Sequence, residues 1–580
     1  MPTGPTTAGS TTAAPAPAHE EAVREDDVRD VRHLGDFTAT PRMLVITGLA
    51  LPIGALGAGA AWCLLQLIGL ITNAVFYQRA STRLVAPDGG GAPWWLVLLA
   101  PVVGGLVVGL MARYGSEKIR GHGMPEAIEA ILLRGSRIQP RVAALKPVSS
   151  AVAIGTGGPF GAEGPIIMTG GALGSLLAQL LHLTADERKA LLVAGSAAGM
   201  AATFNSPLAA VLLAAELLLF EWRPRSLVPV TAAVAVATVL RHHLLGEGPV
   251  FHVASTFHLH DVDYLLCVVS GAVAALLAVV ATALVYASED AFHRLPVHWM
   301  WWPAIGGLVI GLGGLVVPQA LGVGYDVIGA ELDGSIGLDL VVGILVVKTV
   351  IWSLSLGSGT SGGVLAPVFM IGGALGAVEA QVFPQVGPGF WALVALAGVL
   401  GGVMRSPVTG VVFAMELTGR WDALLPVLVG SVTAYALSTL LLKRSVLTEK
   451  IARRGYHLSR EYDVDPLEIV FTSEVMTTDP ATVARVGTDL SPDALTVHAD
   501  ETLRVVAETM ALADVTSLPV VDRGEPARVI GVVTLPQLLH ARLRDQQEAR
   551  ERERVLRVAV PLPRRASVEA VRSDADHVGH

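Results

Sequence analysis

Apolar residues along this chain run in long blocks, not in short alternations. Met43 to Tyr77, Trp94 to Met111, Ala190 to Phe220, Leu265 to Tyr286, Leu338 to Leu354 and Phe390 to Phe413 are the clearest. A helix needs roughly 20 apolar residues to cross the hydrocarbon core of a bilayer, and on the order of ten to twelve blocks approach that length. Several are short, or are cut by Gly and Pro, which predicts tilted and broken membrane helices. The chain therefore reads as an all-α polytopic membrane protein. Residues 1–36, rich in Ala, Thr and Pro and then in charge, read as a disordered cytoplasmic tail. The first apolar block starts too late for a cleaved secretory signal.

Composition sharpens this picture. Of 580 residues, 52% are hydrophobic and only 16% charged, whereas soluble domains are about a quarter charged. The 62 glycines suit membrane helices that pack closely through small residues. Cys63 and Cys267 both lie in apolar blocks and read as packing residues, with no disulfide or metal site implied. The net charge of -9 is spread over the tails and leaves no nucleic-acid footprint. One basic cluster comprises Arg113, Lys118, Arg120, Arg134, Arg137, Arg141 and Lys146; another comprises Lys443, Arg444, Lys450, Arg453 and Arg454. Both are expected on the cytoplasmic side, with both termini, at a multi-pass cell-membrane protein.

The membrane region repeats itself. PIIMTGGALG at 165–174 recurs as PVFMIGGALG at 367–376, with seven of ten residues identical at an offset of 202. SPLAAVLLAAEL at 206–217 recurs as SPVTGVVFAMEL at 406–417. Two related halves, about 43–248 and 263–442, are expected within a membrane domain at 37–455. Transporters built this way usually oppose their halves and bind substrate between them; the sequence by itself does not show the inversion.

Three segments of the form Gly-x-x-x-Pro stand at apolar boundaries. They are Gly121-His122-Gly123-Met124-Pro125, Gly161-Ala162-Glu163-Gly164-Pro165 and Gly363-Val364-Leu365-Ala366-Pro367. The last two head equivalent segments of the repeat. Each reads as a loop entering a helix, with Pro in the first turn, where its missing N–H costs nothing. A helix start leaves four N–H groups free and carries about half a positive charge. Several such ends converging make an anion site without a buried cation. Glu163, an ionisable residue amid apolar sequence, is functional by default.

These motifs resemble those of the CLC family of chloride channels and chloride/proton antiporters. GHGMP is similar to the family's Gly-Ser-Gly-Ile-Pro, GAEGP to Gly-Lys/Arg-Glu-Gly-Pro and GVLAP to Gly-x-Phe-x-Pro. The resemblance covers residues 43–455. It implies the inverted-repeat fold and a homodimer with one pore per subunit. It also implies a gating or proton-carrying role for Glu163, whose carboxylate competes with the anion. The anion site it implies draws on Gly121, His122, Gly123 and Pro125, on Gly161, Ala162, Gly164 and Pro165, on Gly363, Val364, Leu365 and Ala366, and on Leu447. Lys146, 17 residues before Glu163, either adds positive potential near the path or is a flanking cytoplasmic charge.

The chain departs from the family at three places. His122 replaces a serine; its imidazole can donate to the anion, and its protonation would make the inner pathway pH-sensitive. Leu447 stands where the family has its central tyrosine, removing a donor. Leu217 stands at the inner proton-relay position, one residue after Glu216. Leucine carries no proton, so coupling to protons is in doubt. Glu216, repeated as Glu416, reads as a structural residue at a helix end or as an accessory proton group.

After Gly455 the chain turns polar. Strands at 495–497, 517–521 and 529–534 and helices at 502–512 and 536–542 give a β-α-β-β-α order that resembles a CBS motif. A small α/β cytoplasmic domain is expected at 456–545, with one full motif and a fragment at 473–483. A charged, disordered tail follows at 546–580. Gly531-x-x-Thr534-x-x-Gln537 lacks the Asp of the nucleotide-binding version, which argues for packing over nucleotide binding.

The function expected is CLC-type transport of chloride and similar small anions through a glutamate-gated pore. The alternative is a chloride/proton antiporter with a non-standard proton route. A CBS-regulated cation transporter would need carboxylate- or carbonyl-lined sites, and a membrane-anchored sensor would leave the three motifs unexplained. No catalytic constellation or cofactor motif is present, so the chain does not read as an enzyme. The expected partners are chloride, the bilayer and a second copy, with protons if the protein is coupled.

Overall fold

The computed structural model of the protein describes residues 40–87, 91–251, 253, 257–455, 465–488, 495–524 and 528–550. The two tails expected at 1–36 and beyond 550 lie outside these residues, as does the junction at 456–464. The chain forms two compact units, Asp36–Tyr462 and one that begins at Asp463.

The first half of the membrane unit contains α1 (Arg42–Phe76), α2 (Trp94–Tyr114), α3 (Met124–Leu133), α4 (Pro140–Gly155), α5 (Glu163–Gln179), α6 (Ala185–Phe204), α7 (Pro207–Leu213, continued by a π turn at Ala214–Leu219) and α8 (Pro224–Leu245). The second half follows the same order. It contains α9 (Asp261–His293), α10 (Trp302–Val316), α11 (Tyr325–Leu332), α12 (Leu338–Gly343), α13 (Thr349–Gly357), α14 (Leu365–Glu379), α15 (Phe390–Met404), α16 (Pro407–Thr418) and α17 (Leu424–Leu441). A π turn at Ile344–Lys348 joins α12 and α13 into one rod, the counterpart of α4. A last helix, α18 (Val446–Arg453), closes the unit.

Among the described residues, seven helical segments are long and apolar enough to span a membrane, and four apolar ones are shorter. Two apolar blocks that read as continuous are broken. Ala190–Phe220 divides at Asn205 and Phe390–Phe413 at Arg405, residues with φ of 55° and 56°. Both breaks precede Ser-Pro, where the proline starts the next helix.

The inversion of the halves follows from α7 and α16. Glu416, near the end of α16, accepts the Leu208 and Ala209 amides at the start of α7 at 2.9 and 2.8 Å. Glu216, just past the end of α7, accepts the Thr409 hydroxyl at 2.6 Å and its amide at 3.3 Å at the start of α16. Each helix end caps the equivalent helix's beginning, so the two run antiparallel. The exchange uses carboxylates where helix dipoles are positive, and it gives Glu216 a structural task.

Close packing within each half depends on missing side chains. A Cβ on Gly170 of α5 would collide with the Gly195 carbonyl of α6, and one on Gly195 with the Gly170 carbonyl. Backbone meets backbone there, as small residues allow in membrane bundles.

The C-terminal unit has a three-stranded sheet in the order β1-β2-β3: β1 (Val497–His498), β2 (Ser517–Val521) and β3 (Val529–Thr534). β1 pairs with β2 parallel and β2 with β3 antiparallel. The helices Leu503–Ala513 and Leu535–Arg550 accompany it, and Leu503, Val506, Met510, Leu518, Val520, Val533 and Leu538 form its core. The fragment before the motif joins the same body, since Thr477 bridges Val532. Gln537, at the position of the absent Asp, accepts the Thr534 amide at 2.8 Å and donates to the Thr477 hydroxyl at 2.7 Å.

Candidate functional site

The three Gly-x-x-x-Pro segments converge. The segments before α5 and α14, two hundred residues apart, pair as a short antiparallel bridge. The Gly363 amide donates to the Gly161 carbonyl at 2.8 Å, and the Gly161 amide to the Gly363 carbonyl at 3.4 Å. Gly164 packs against the His122 carbonyl and the Gly363 Cα, while Gly123 packs against the Gly164 carbonyl. Gly121 and Gly123 have φ of +76° and +86°, left-handed backbone that side chains disfavour. That turn brings the start of α3 against the start of α5. Pro125 sits in the first turn of α3, and Pro165 and Pro367 in those of α5 and α14.

Glu163 lies at the centre, fully buried. Its side chain leaves α5 of the first half and reaches α14 of the second. There Oε1 accepts the Ala366 amide at 3.0 Å. Ala366 is the second residue of α14, after Val364 and Leu365, so a carboxylate occupies a helix-start anion seat. Oε2 has no hydrogen-bond partner within the protein. Ala162 and Gly161 lead into the glutamate, and the room for the carboxylate exists because residues 161 and 363 are glycines: a Cβ on either would strike it.

Lys146 is not a flanking loop charge. It is fully buried in α4. Its Nζ donates to the carbonyls of Ile119 and Gly121 at 2.8 and 2.6 Å and to the Ser361 hydroxyl at 3.1 Å. It therefore ties the turn of the first motif to the segment before the third. Its place in the cytoplasmic loop cluster is corrected accordingly: the apolar stretch around it belongs to a packed helix. Lys348 does the same in the second half, donating to Ala320 and Gly322 at 2.9 and 2.8 Å. Sequence reading passed over Lys348, although it stands 202 residues after Lys146, the offset of the repeat.

His122 borders a cavity of about 610 Å³ that Lys118, Arg120, Glu126, Lys450 and Arg454 also line. It is buried, at 4% exposure, and its Nδ1 has no partner in the protein. The residue sits in the turn before α3, outside the spanning helices. Burial, and then the nearby Lys450, push its imidazole down to about 3. A shift in that direction has a consequence for stability. A histidine whose folded value lies below its unfolded one destabilises the fold as pH drops below about 6.5. Lowering pH from 7 to 5 should reduce the thermal midpoint of the detergent-solubilised protein, and His122→Gln should lessen that reduction. An identical slope in both proteins would show that the histidine makes no such contribution.

Leu447 is buried in α18. That helix is tied to α3 through Glu126, which binds Lys450 at 2.8 Å and Arg454 at 3.0 Å. The Tyr286 hydroxyl of α9 donates to the Val446 carbonyl beside Leu447, so the nearby phenol is committed to backbone. Leu217 is also fully buried.

A profile described as voltage gated chloride channel matches residues 104–439, and a CBS domain profile matches 473–544. The voltage-gated ClC-type chloride channel ClcB of Salmonella typhimurium is 30% identical over 71% of this chain and 99% of its own. The H(+)/Cl(-) exchange transporter ClcA of Salmonella arizonae is 27% identical over 75% of this chain and 93% of its own. Among solved structures, a slow cyanobacterial Cl-/H+ antiporter superposes with a TM-score of 0.61 at 21% identity, over 72% of this chain and 99% of that one. A CLC-type fluoride/proton antiporter superposes with 0.60 at 20% identity, over 69% and 97%. With the converging helix starts, the buried glutamate between two inverted halves and these matches together, the chain belongs to the voltage gated chloride channel (CLC) family, as a multi-pass membrane protein with a C-terminal CBS domain.

Proposed function

We propose that the protein carries chloride and similar small anions across the membrane, along a path on which the anion and the Glu163 carboxylate compete for one amide-lined seat. The observation that carries this is the hydrogen bond from the Ala366 amide to Glu163. A carboxyl group from one half already fills the helix start of the other. Backbone amides and helix dipoles hold an anion there, and loosely enough for it to leave. Protonation of Glu163 removes its charge and frees the seat. On the side of the basic cavity, the unpartnered His122 nitrogen is a donor for the incoming ion.

Transport without obligatory proton exchange is the form favoured by Leu217 and Glu216. The first is apolar and buried, and the second is engaged with Thr409. A homodimer with one path per subunit comes with the family resemblance. In the C-terminal unit, Gln537 is tied to Thr534 and Thr477, which supports packing over nucleotide binding.

Purified full-length protein in liposomes under a chloride gradient tests the reading. Chloride efflux with no uphill proton movement is expected. Proton pumping would make the protein an exchanger, and absence of chloride flux would remove the reading altogether.

A further inference from the structure

An anion on the proposed path meets amides and His122 on one side of Glu163, and it needs donors on the other side as well. The second half contains the counterpart of that inner turn. Gly322-Val323-Gly324 repeats Gly121-His122-Gly123, with glycine φ of +64° and +81°, and Lys348 holds it as Lys146 holds the first. Because the halves are inverted, this turn belongs to the opposite face of the membrane unit, here called outer. It borders a separate cavity of about 340 Å³, which Thr72, Tyr77, Tyr325 and Asp326 also line.

Tyr325, the first residue of α11, lines that cavity. Its ring packs edge-on against Phe204 and Phe251, with centroids 6.4 and 6.1 Å away. Phe204 in turn stands edge-on to Phe413 at 5.1 Å. The ring is thus held by aromatic neighbours. The hydroxyl is buried and has no hydrogen-bond partner in the protein. It also lies within electrostatic reach of the Glu163 carboxylate. Buried hydroxyls are almost always paired, so an orphan of this kind calls for an acceptor supplied from elsewhere.

We propose that Tyr325 determines anion selectivity, its hydroxyl donating a hydrogen bond to the transported anion on the outer side of Glu163. The inference rests on the anion path proposed above. It also accounts for Leu447: the phenolic donor absent from the inner side is present on the outer one. A small, strongly hydrated anion such as chloride needs replacement donors when it sheds water. A large, weakly hydrated one such as thiocyanate needs them less. Phenylalanine at 325 keeps the aromatic packing and removes only the donor.

The test compares efflux of chloride and of thiocyanate from liposomes containing full-length wild type or Tyr325→Phe. The chloride-to-thiocyanate rate ratio should fall roughly tenfold in the variant, the scale of one hydrogen bond to a charged group. An unchanged ratio, or equal slowing of both anions, overturns the role of Tyr325 while the anion path stands. Wild-type liposomes that pass neither anion take down both. Bromide-soaked wild-type crystals supply a readout that needs no variant: an anomalous peak within hydrogen-bond reach of Tyr325 Oη is expected, and bromide confined to other sites overturns the proposal.

Discussion

Glu163→Ala should raise chloride efflux from liposomes about tenfold at neutral pH, the gain expected when a side chain that fills the seat nine-tenths of the time is removed. It should also flatten the dependence of efflux on pH. Both effects come from one contact. The carboxylate accepts the Ala366 amide and is fully enclosed by protein, so in this state it excludes an anion from the start of α14. Alanine leaves the amide free and removes the only carboxyl placed between the paired Gly161 and Gly363 segments among the described residues. Raising pH will then no longer return a competing charge to the seat. Efflux at the wild-type rate with the wild-type pH profile would show that Glu163 does not gate the path.

Gly363→Ala should act in the opposite direction and at least as strongly, cutting efflux more than tenfold. A Cβ at this position would strike Glu163 Oε2 and would lie 2.6 Å from the Gly161 carbonyl. The bridge between the halves is backbone on backbone and has no soft side chain to yield. The added methyl must therefore push the α5 and α14 starts apart, which breaks up the seat that both helix starts form. Overpacking of this kind costs about 1–3 kcal/mol, and here the strain falls on the seat itself. Combining it with Glu163→Ala distinguishes the two collisions. The double variant should recover part of the lost flux, because the carboxylate clash is gone, and should remain below Glu163→Ala, because the Gly161 clash persists. Full additivity of the two effects would mean that the residues do not share a site, since coupling is expected between groups in contact.

The local features of this protein were legible in its sequence. Long apolar blocks foretold the membrane unit, since helix length against bilayer thickness is a property of a segment alone. The strands at 517–521 and 529–534 were equally plain, because strand pattern and turn residues are local signals. The three Gly-x-x-x-Pro motifs marked helix starts, and the repeat marked which of them correspond. Breaks inside apolar runs were harder: a single Asn205 does not end the apolar run Ala190–Phe220, although the Ser-Pro that follows is a stop signal present in both halves.

What a residue does once the chain is folded depended on partners far away in sequence. Lys146 looked like a loop charge because its three acceptors, at Ile119, Gly121 and Ser361, belong to other segments. Glu216 and Glu416 were visibly related, but their exchange of helix caps exists only because the halves oppose each other. Tyr325 follows a turn that repeats the first motif only in its two glycines, and its orphaned hydroxyl is a fact of burial. From sequence alone came which residues could begin a helix, span a bilayer or carry a charge, because those capacities reside in short stretches of chain. Only the tertiary structure decided that Glu163 from one half meets the Ala366 amide of the other, because electrostatic and hydrogen-bonding partners are chosen by proximity in space, and here two hundred residues separate them.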